Sequence, residues 1–106
     1  MRTLKSKREF GEVFSKGTRA QHPLVRVTYL RSDGEEGKLA FVAAKRLGNA
    51  VFRNRCKRVL REAARMIDLP MEGYSMILFA TGRTHGSHPE EVGKALERIF
   101  VSKHLR

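Results

Sequence analysis

Residues 50 to 67 carry two stripes that a helix separates cleanly. Phe52, Cys56, Val59, Leu60, Ala63 and Ile67 recur at the spacing of one apolar face. Arg53, Lys57, Arg61 and Arg65 stack on another, with Arg58 beside them. Asn49 can cap the start of this helix, and Pro70 keeps it from running much further. Such a helix can dock its apolar face on a sheet and present a row of cations outward.

The remaining sequence supplies that sheet. Ser6 and Glu9 fit a capping box, and Phe10, Val13 and Phe14 follow at helical spacing, so a first helix is expected from Ser6 to Lys16 with Gly17 ending it. Leu24 to Leu30 reads as a strand, with Arg26 and Thr28 alternating against Val25, Val27 and Tyr29. Ser32-Asp33-Gly34 and Gly37 mark a loop, after which Leu39 to Ala44 reads as the returning antiparallel strand. Tyr74 to Ala80 is continuously apolar and predicts a buried central strand; Thr81 to Ser87 is a loop. Pro89 suits the first turn of a last helix, Glu90 and Glu91 favour its positive end, and Val92, Leu96, Ile99 and Phe100 form its apolar face. The order α-β-β-α-β-α, with room for an extra short strand, predicts one α+β domain over residues 1–106. Its architecture is an α/β sandwich on a small mixed sheet.

Charge narrows the class of partner. The chain holds 22 Lys and Arg against 11 acidic residues, a net charge of +11. An excess of that size points to a polyanion, nucleic acid before an anionic membrane surface. Residues 45 to 65 contain eight basic side chains and one acid, Glu62, and so supply +7 of that excess. Cations at i, i+4 repel by a few tenths of a kcal/mol per pair, which a merely solvated face would relieve with interspersed acids. Arginine predominates on the row, and its planar fork can grip phosphate with two hydrogen bonds and stack on bases. No stretch approaches the roughly 18 apolar residues that span a bilayer, and Met1 to Phe10 lacks the apolar run of a signal peptide. Cys56 is the single cysteine, lies on the apolar stripe and reads as a small buried hydrophobe. The expectation is a soluble cytoplasmic protein with no membrane partner and no obligate protein partner.

The segment Lys45-Arg46-Leu47-Gly48-Asn49-Ala50-Val51-Phe52-Arg53-Asn54-Arg55-Cys56-Lys57-Arg58-Val59-Leu60-Arg61-Glu62 closely resembles the signature of the ribonuclease P protein family. At its centre is the Arg-Asn-Arg triplet followed, one residue later, by Lys-Arg. The resemblance extends upstream to Glu9-Phe10, Val13-Phe14 and Gly17, and covers the chain to the last helix. It implies a protein subunit that assists a catalytic RNA in removing the 5′ leader from precursor tRNA. The RNA performs the chemistry with divalent metal, chiefly magnesium, which it holds itself, so no cofactor is expected on the protein alone. The resemblance also implies a left-handed crossover around the signature helix, where ordinary parallel crossovers are right-handed.

Carried over to this chain, it assigns Arg53, Asn54, Arg55, Lys57, Arg58, Arg61 and Arg65 to contact with the catalytic RNA. Lys45 and Arg46 would approach phosphates near the cleavage site. Asn49 belongs to the same interface, and Gly48 lets the backbone turn into the helix. Asn54 has a structural alternative, bracing a neighbouring loop. Phe10 and Phe14 match aromatics that line a cleft for the single-stranded leader, where any base can stack. Without the family, two Phe residues four apart on a helix would read as core. The chain departs from the family twice. Val27 stands where a cleft-facing tyrosine is common, with Tyr29 on the same face as its substitute, and Val42 and Ala44 stand where serine is frequent.

A self-sufficient protein nuclease would need metal-binding carboxylates or a general acid/base pair. Only Asp33 and Asp68 are aspartates, the glutamates are scattered, and Glu62 is expected to form local ion pairs. His22, His85, His88 and His104 show no zinc-ligand spacing with Cys56, and a plain surface role is expected for His85 and His88. Two rival classes remain: a stand-alone RNA-binding module, and a DNA-binding regulator that lays the Ala50 to Ile67 helix in a major groove. Against the second, only Asn54 is available to read adenine.

Overall fold

The computed structural model describes every residue except Met1, Arg2, Lys5 and residues 33–35, so the tip of the Ser32-Asp33-Gly34 loop lies outside the described residues. Helix α1 spans Lys7–Lys16, and Ser6 caps it by accepting the Glu9 N–H at 3.1 Å. Glu9 also reaches across to Lys38 in an ion pair. Gly17 closes the helix in extended rather than left-handed backbone (φ −72°). Its requirement is space, since a Cβ there would stand 2.5 Å from Val13 O and 2.7 Å from Thr28 Cγ2.

Four strands follow: β1 (Thr18–His22), β2 (Val25–Arg31), β3 (Lys38–Val42) and β4 (Tyr74–Ala80). Strand β1 is the extra short strand. Its sequence is polar because it lies at the sheet edge, hairpinned to β2 through Pro23 and Leu24. The sheet order is β1-β2-β4-β3, with β4 antiparallel to β2 and parallel to β3. The antiparallel hairpin expected of Leu39 to Ala44 therefore does not form. Strand β4 inserts between β2 and β3, because its residues from Met76 to Leu78 are buried on both faces and need a neighbour on each side. The parallel β3–β4 pair is possible because a helix connects the two strands.

That helix is α2 (Ala50–Met66), entered through a 3-10 turn at Lys45–Leu47 and capped by Asn49, whose Oδ1 accepts the Phe52 N–H at 2.9 Å. Asp68, in the left-handed region (φ 57°), and the cis Leu69–Pro70 bond turn the chain toward β4. Helix α3 (Pro89–Ser102) returns beside α2. Its Val92, Leu96, Ile99 and Phe100 are buried as expected.

Pleating divides the strands between two layers. Val25, Val27, Leu39, Met76 and Leu78 join Cys56, Leu60, Leu96 and Phe100 in the main core under α2 and α3. On the opposite face α1 packs against β2 and β4, where Val13, Thr28 and Ile77 are buried. Helix α1 covers only part of this face, and the rest forms an open groove. No helix among the described residues is long and apolar enough to cross a membrane.

Candidate nucleic-acid interface

The register decides which side chains look into the groove. Arg26 pairs with Phe79 and Thr28 with Ile77, all on the α1 side; Val27 pairs with Leu78 and Tyr29 with Met76, on the core side. Val27 is only 1% exposed, and Tyr29 packs against the core with its ring edge on Tyr74, 6.2 Å between centroids. The expected cleft positions of Val27 and Tyr29 are thus corrected. Strand alternation sends both to the buried layer, and Thr28 with Arg26 takes the groove side.

The groove encloses about 500 Å³. Phe14 forms one wall, Arg19 and Gln21 of β1 and Arg26 and Thr28 of β2 form the other, and Phe79 lies on its floor. Val42 and Ala44, at and beyond the end of β3, close it on the side of the signature turn. Phe14 is 44% exposed although it lies on the same helix as buried Val13. It stacks parallel to Phe10 at 6.3 Å and tilts against Phe79 at 6.1 Å. Phe10 and Phe14 are thereby brought together at the groove, and Phe79 joins them. The sequence hides Phe79 inside an apolar run; its odd-even position in β4 is the only available signal.

Ala44 is followed directly by Lys45 and Arg46, both exposed in the 3-10 turn. A Cβ on Gly48 would stand 2.9 Å from Phe52 Cγ, so glycine permits the close packing of turn on helix. Along α2 the expected row is present, but it slants from the sheet into solvent. Arg53 and Lys57 are half-buried, while Arg58, Arg61 and Arg65 are exposed, as are Asn54 and Arg55. Arg53 Nε is buried with no hydrogen-bond partner among the described residues. Arg61 lies over Phe41 of β3, 5.4 Å from the ring centroid, and Arg65 pairs with Glu62 at 2.7 Å. Cys56 is fully buried, and that burial pushes its thiol pKa up, so it stays protonated and inert.

The two loop histidines have defined partners, contrary to the plain surface role expected for them. His85 stacks on Phe52 at 4.1 Å with the rings 9° apart. This ties the loop after β4 to the first turn of α2. Thr84 anchors the same loop by donating to Leu24 O at 2.7 Å. His88 caps α3: its Nδ1 accepts the Glu90 N–H, and Glu91 accepts the His88 N–H at 2.9 Å, a reciprocal capping box. A His-Pro-Glu-Glu run before an apolar face carried that signal. Among the described residues, no three His, Cys, Asp or Glu side chains come together as a metal site.

Fold and site together define a class: a small basic α+β domain in which a cationic helix continues from the end of an aromatic groove. A family model described as Ribonuclease P matches residues 1–104. The chain belongs to the ribonuclease P protein family. The ribonuclease P protein component of Mycolicibacterium gilvum is 48% identical over 101 residues, spanning 88% of this chain and 82% of the relative. That of Gluconacetobacter diazotrophicus is 37% identical over 86 residues, spanning 78% and 74%. The Staphylococcus aureus RNase P protein structure superposes with a TM-score of 0.79 at 21% identity, covering 97% of this chain and 95% of that one, a likeness of fold.

Proposed function

We propose that this chain is the protein subunit of a ribonuclease P ribonucleoprotein. It binds the catalytic RNA through the α2 row and holds the single-stranded 5′ leader of precursor tRNA in the groove beside α1. The observation that carries this reading is the continuity of the two surfaces. Ala44 lines the groove, and the chain passes from it through Lys45 and Arg46 into α2. An extended strand in the groove would emerge beside cations that neutralise its phosphates, close to the RNA bound on the helix.

The protein supplies binding and orientation. Hydrolysis is assigned to the RNA and its divalent metal, principally magnesium, and the protein alone carries no cofactor in this reading. Arg53, Asn54, Arg55, Lys57, Arg58 and Arg61 present donors to the catalytic RNA, with Arg65 partly occupied by Glu62. Lys45, Arg46 and the Asn49-capped helix start lie toward the scissile phosphate. Neutralising phosphates there lowers the repulsion between substrate and catalytic RNA, so less magnesium is needed to bring them together.

The test is precursor-tRNA cleavage by a bacterial ribonuclease P RNA at low magnesium, with and without this protein. Rescue of cleavage, with none by the protein alone, is the expected result. A folded protein that fails to rescue a cognate RNA would overturn the proposal and leave a stand-alone RNA-binding module.

A further inference from the structure

We infer that Arg19 and Arg26 are specificity-determining residues of the groove and select guanine in the single strand held there, an inference that rests on the leader reading above. A groove floored by bare aromatic rings binds bases with little preference, since every base has a face to stack. Here each principal ring carries a guanidinium against it. Arg19 Cζ lies 4.9 Å from the Phe14 centroid, and Arg26 Cζ lies 5.9 Å from that of Phe79. A base that stacks on the open part of either ring therefore has a guanidinium beside its edge.

The two guanidiniums are restrained by their surroundings. Arg19 donates from Nη2 to Phe14 O at 3.0 Å, which holds it at the end of α1. Arg26 is half-buried between its cross-strand neighbours, Gln21 on β1 and Phe79 on β4. Arg19 faces Thr28, so the two arginines lie diagonally across the β1–β2 ladder on one face, within reach of adjacent nucleotides. Among the described residues no acidic side chain lines the groove, which leaves two like charges on neighbouring strands without a counter-ion from the groove itself. An anionic strand relieves that repulsion.

The chemistry of the fork then discriminates among bases. A guanidinium offers several donors in one plane and no acceptor. Guanine presents two adjacent acceptors, O6 and N7, on one edge of a large purine face. Adenine places a donor beside each acceptor, and uracil has a donor between its two carbonyls. Cytosine alone among the others offers an acceptor pair, N3 and O2, on a smaller ring that stacks less. An arginine held over a ring is ready to form the bidentate contact without first being ordered. Lysine, a point charge, keeps the attraction to phosphate and loses the fork.

The experiment uses the reconstituted holoenzyme and a precursor tRNA with an all-uridine leader. One guanosine, adenosine or cytidine is walked along the leader, one position at a time, and kcat/KM is measured for each. The wild type is expected to favour guanosine about tenfold at one or two neighbouring positions, the size of one bidentate contact. Arg19→Lys and Arg26→Lys should each bring the guanosine ratio at one position close to unity. The ratio is taken within each variant, so a general loss of activity cancels. Equal values for all four bases, with the leader still strengthening binding, would overturn this inference and leave the leader reading standing. Loss of any leader effect would overturn both. A preference for cytidine would also overturn it, and so would one for adenosine, which would point to Gln21, whose amide suits adenine.

Discussion

At the scale of single residues, the groove depends on placing large apolar groups where water can reach them. Phe14 is the clearest case: it is 44% exposed, yet it contacts two rings and a guanidinium. Its remaining surface is available to a base, and stacking of that kind contributes about 1–3 kcal/mol per base when tested by alanine substitution. Phe14→Ala is expected to weaken binding of leader-bearing precursor by about tenfold and to leave mature tRNA nearly unaffected. Equal losses for both RNAs would make Phe14 a packing residue only. Phe10 and Phe14 were legible as a pair from their spacing, but spacing could not say whether they faced core or solvent. Packing on the sheet decided it, burying Val13 and leaving Phe14 at the groove, and Gly17 allows the close exit from α1 because a Cβ there would meet Val13 O and Thr28.

At the scale of elements, α2 has two jobs. Its apolar stripe holds Cys56, Leu60 and Ala63 at zero exposure in the core, and its outer face keeps like charges together. The repulsion among those charges weakens the isolated helix by a few tenths of a kcal/mol per pair, and a bound polyanion such as the proposed RNA would relieve it. Arg58→Ala and Arg61→Ala should each lower the salt dependence of RNA binding by about 0.7–0.9 in log–log slope, one phosphate contact apiece. Arg65→Ala should change the slope less, because Glu62 already neutralises much of its charge. An unchanged slope for Arg58→Ala would remove that side chain from the interface. The helix, its Asn49 cap and its row were all legible in sequence, because every interaction that defines them spans four residues or fewer.

At the scale of the whole molecule, the sheet separates stability from recognition. The main core lies under α2 and α3, and the groove opens on the other face beside α1. Phe100 is fully buried in that core, on the far side of the sheet from the groove. Phe100→Ala is expected to cost about 3–5 kcal/mol in urea unfolding, against a total stability on the order of 5–15 kcal/mol. Per folded molecule, its RNA affinity should stay close to wild type. A large loss of affinity in the folded variant would show that the core and the groove are coupled. The sequence by itself determined the helices, the strands β2 and β4 and the cationic face, since periodicity and caps are local. Only the tertiary structure decided that β4 separates β2 from β3, that Val27 and Tyr29 face the main core while Thr28 faces α1, and that His85 meets Phe52. It also decided that two arginines lie over the groove's rings. Those outcomes depend on pairing between residues far apart in the chain, where several registers satisfy the same local pattern and the burial of both faces of β4 selects one.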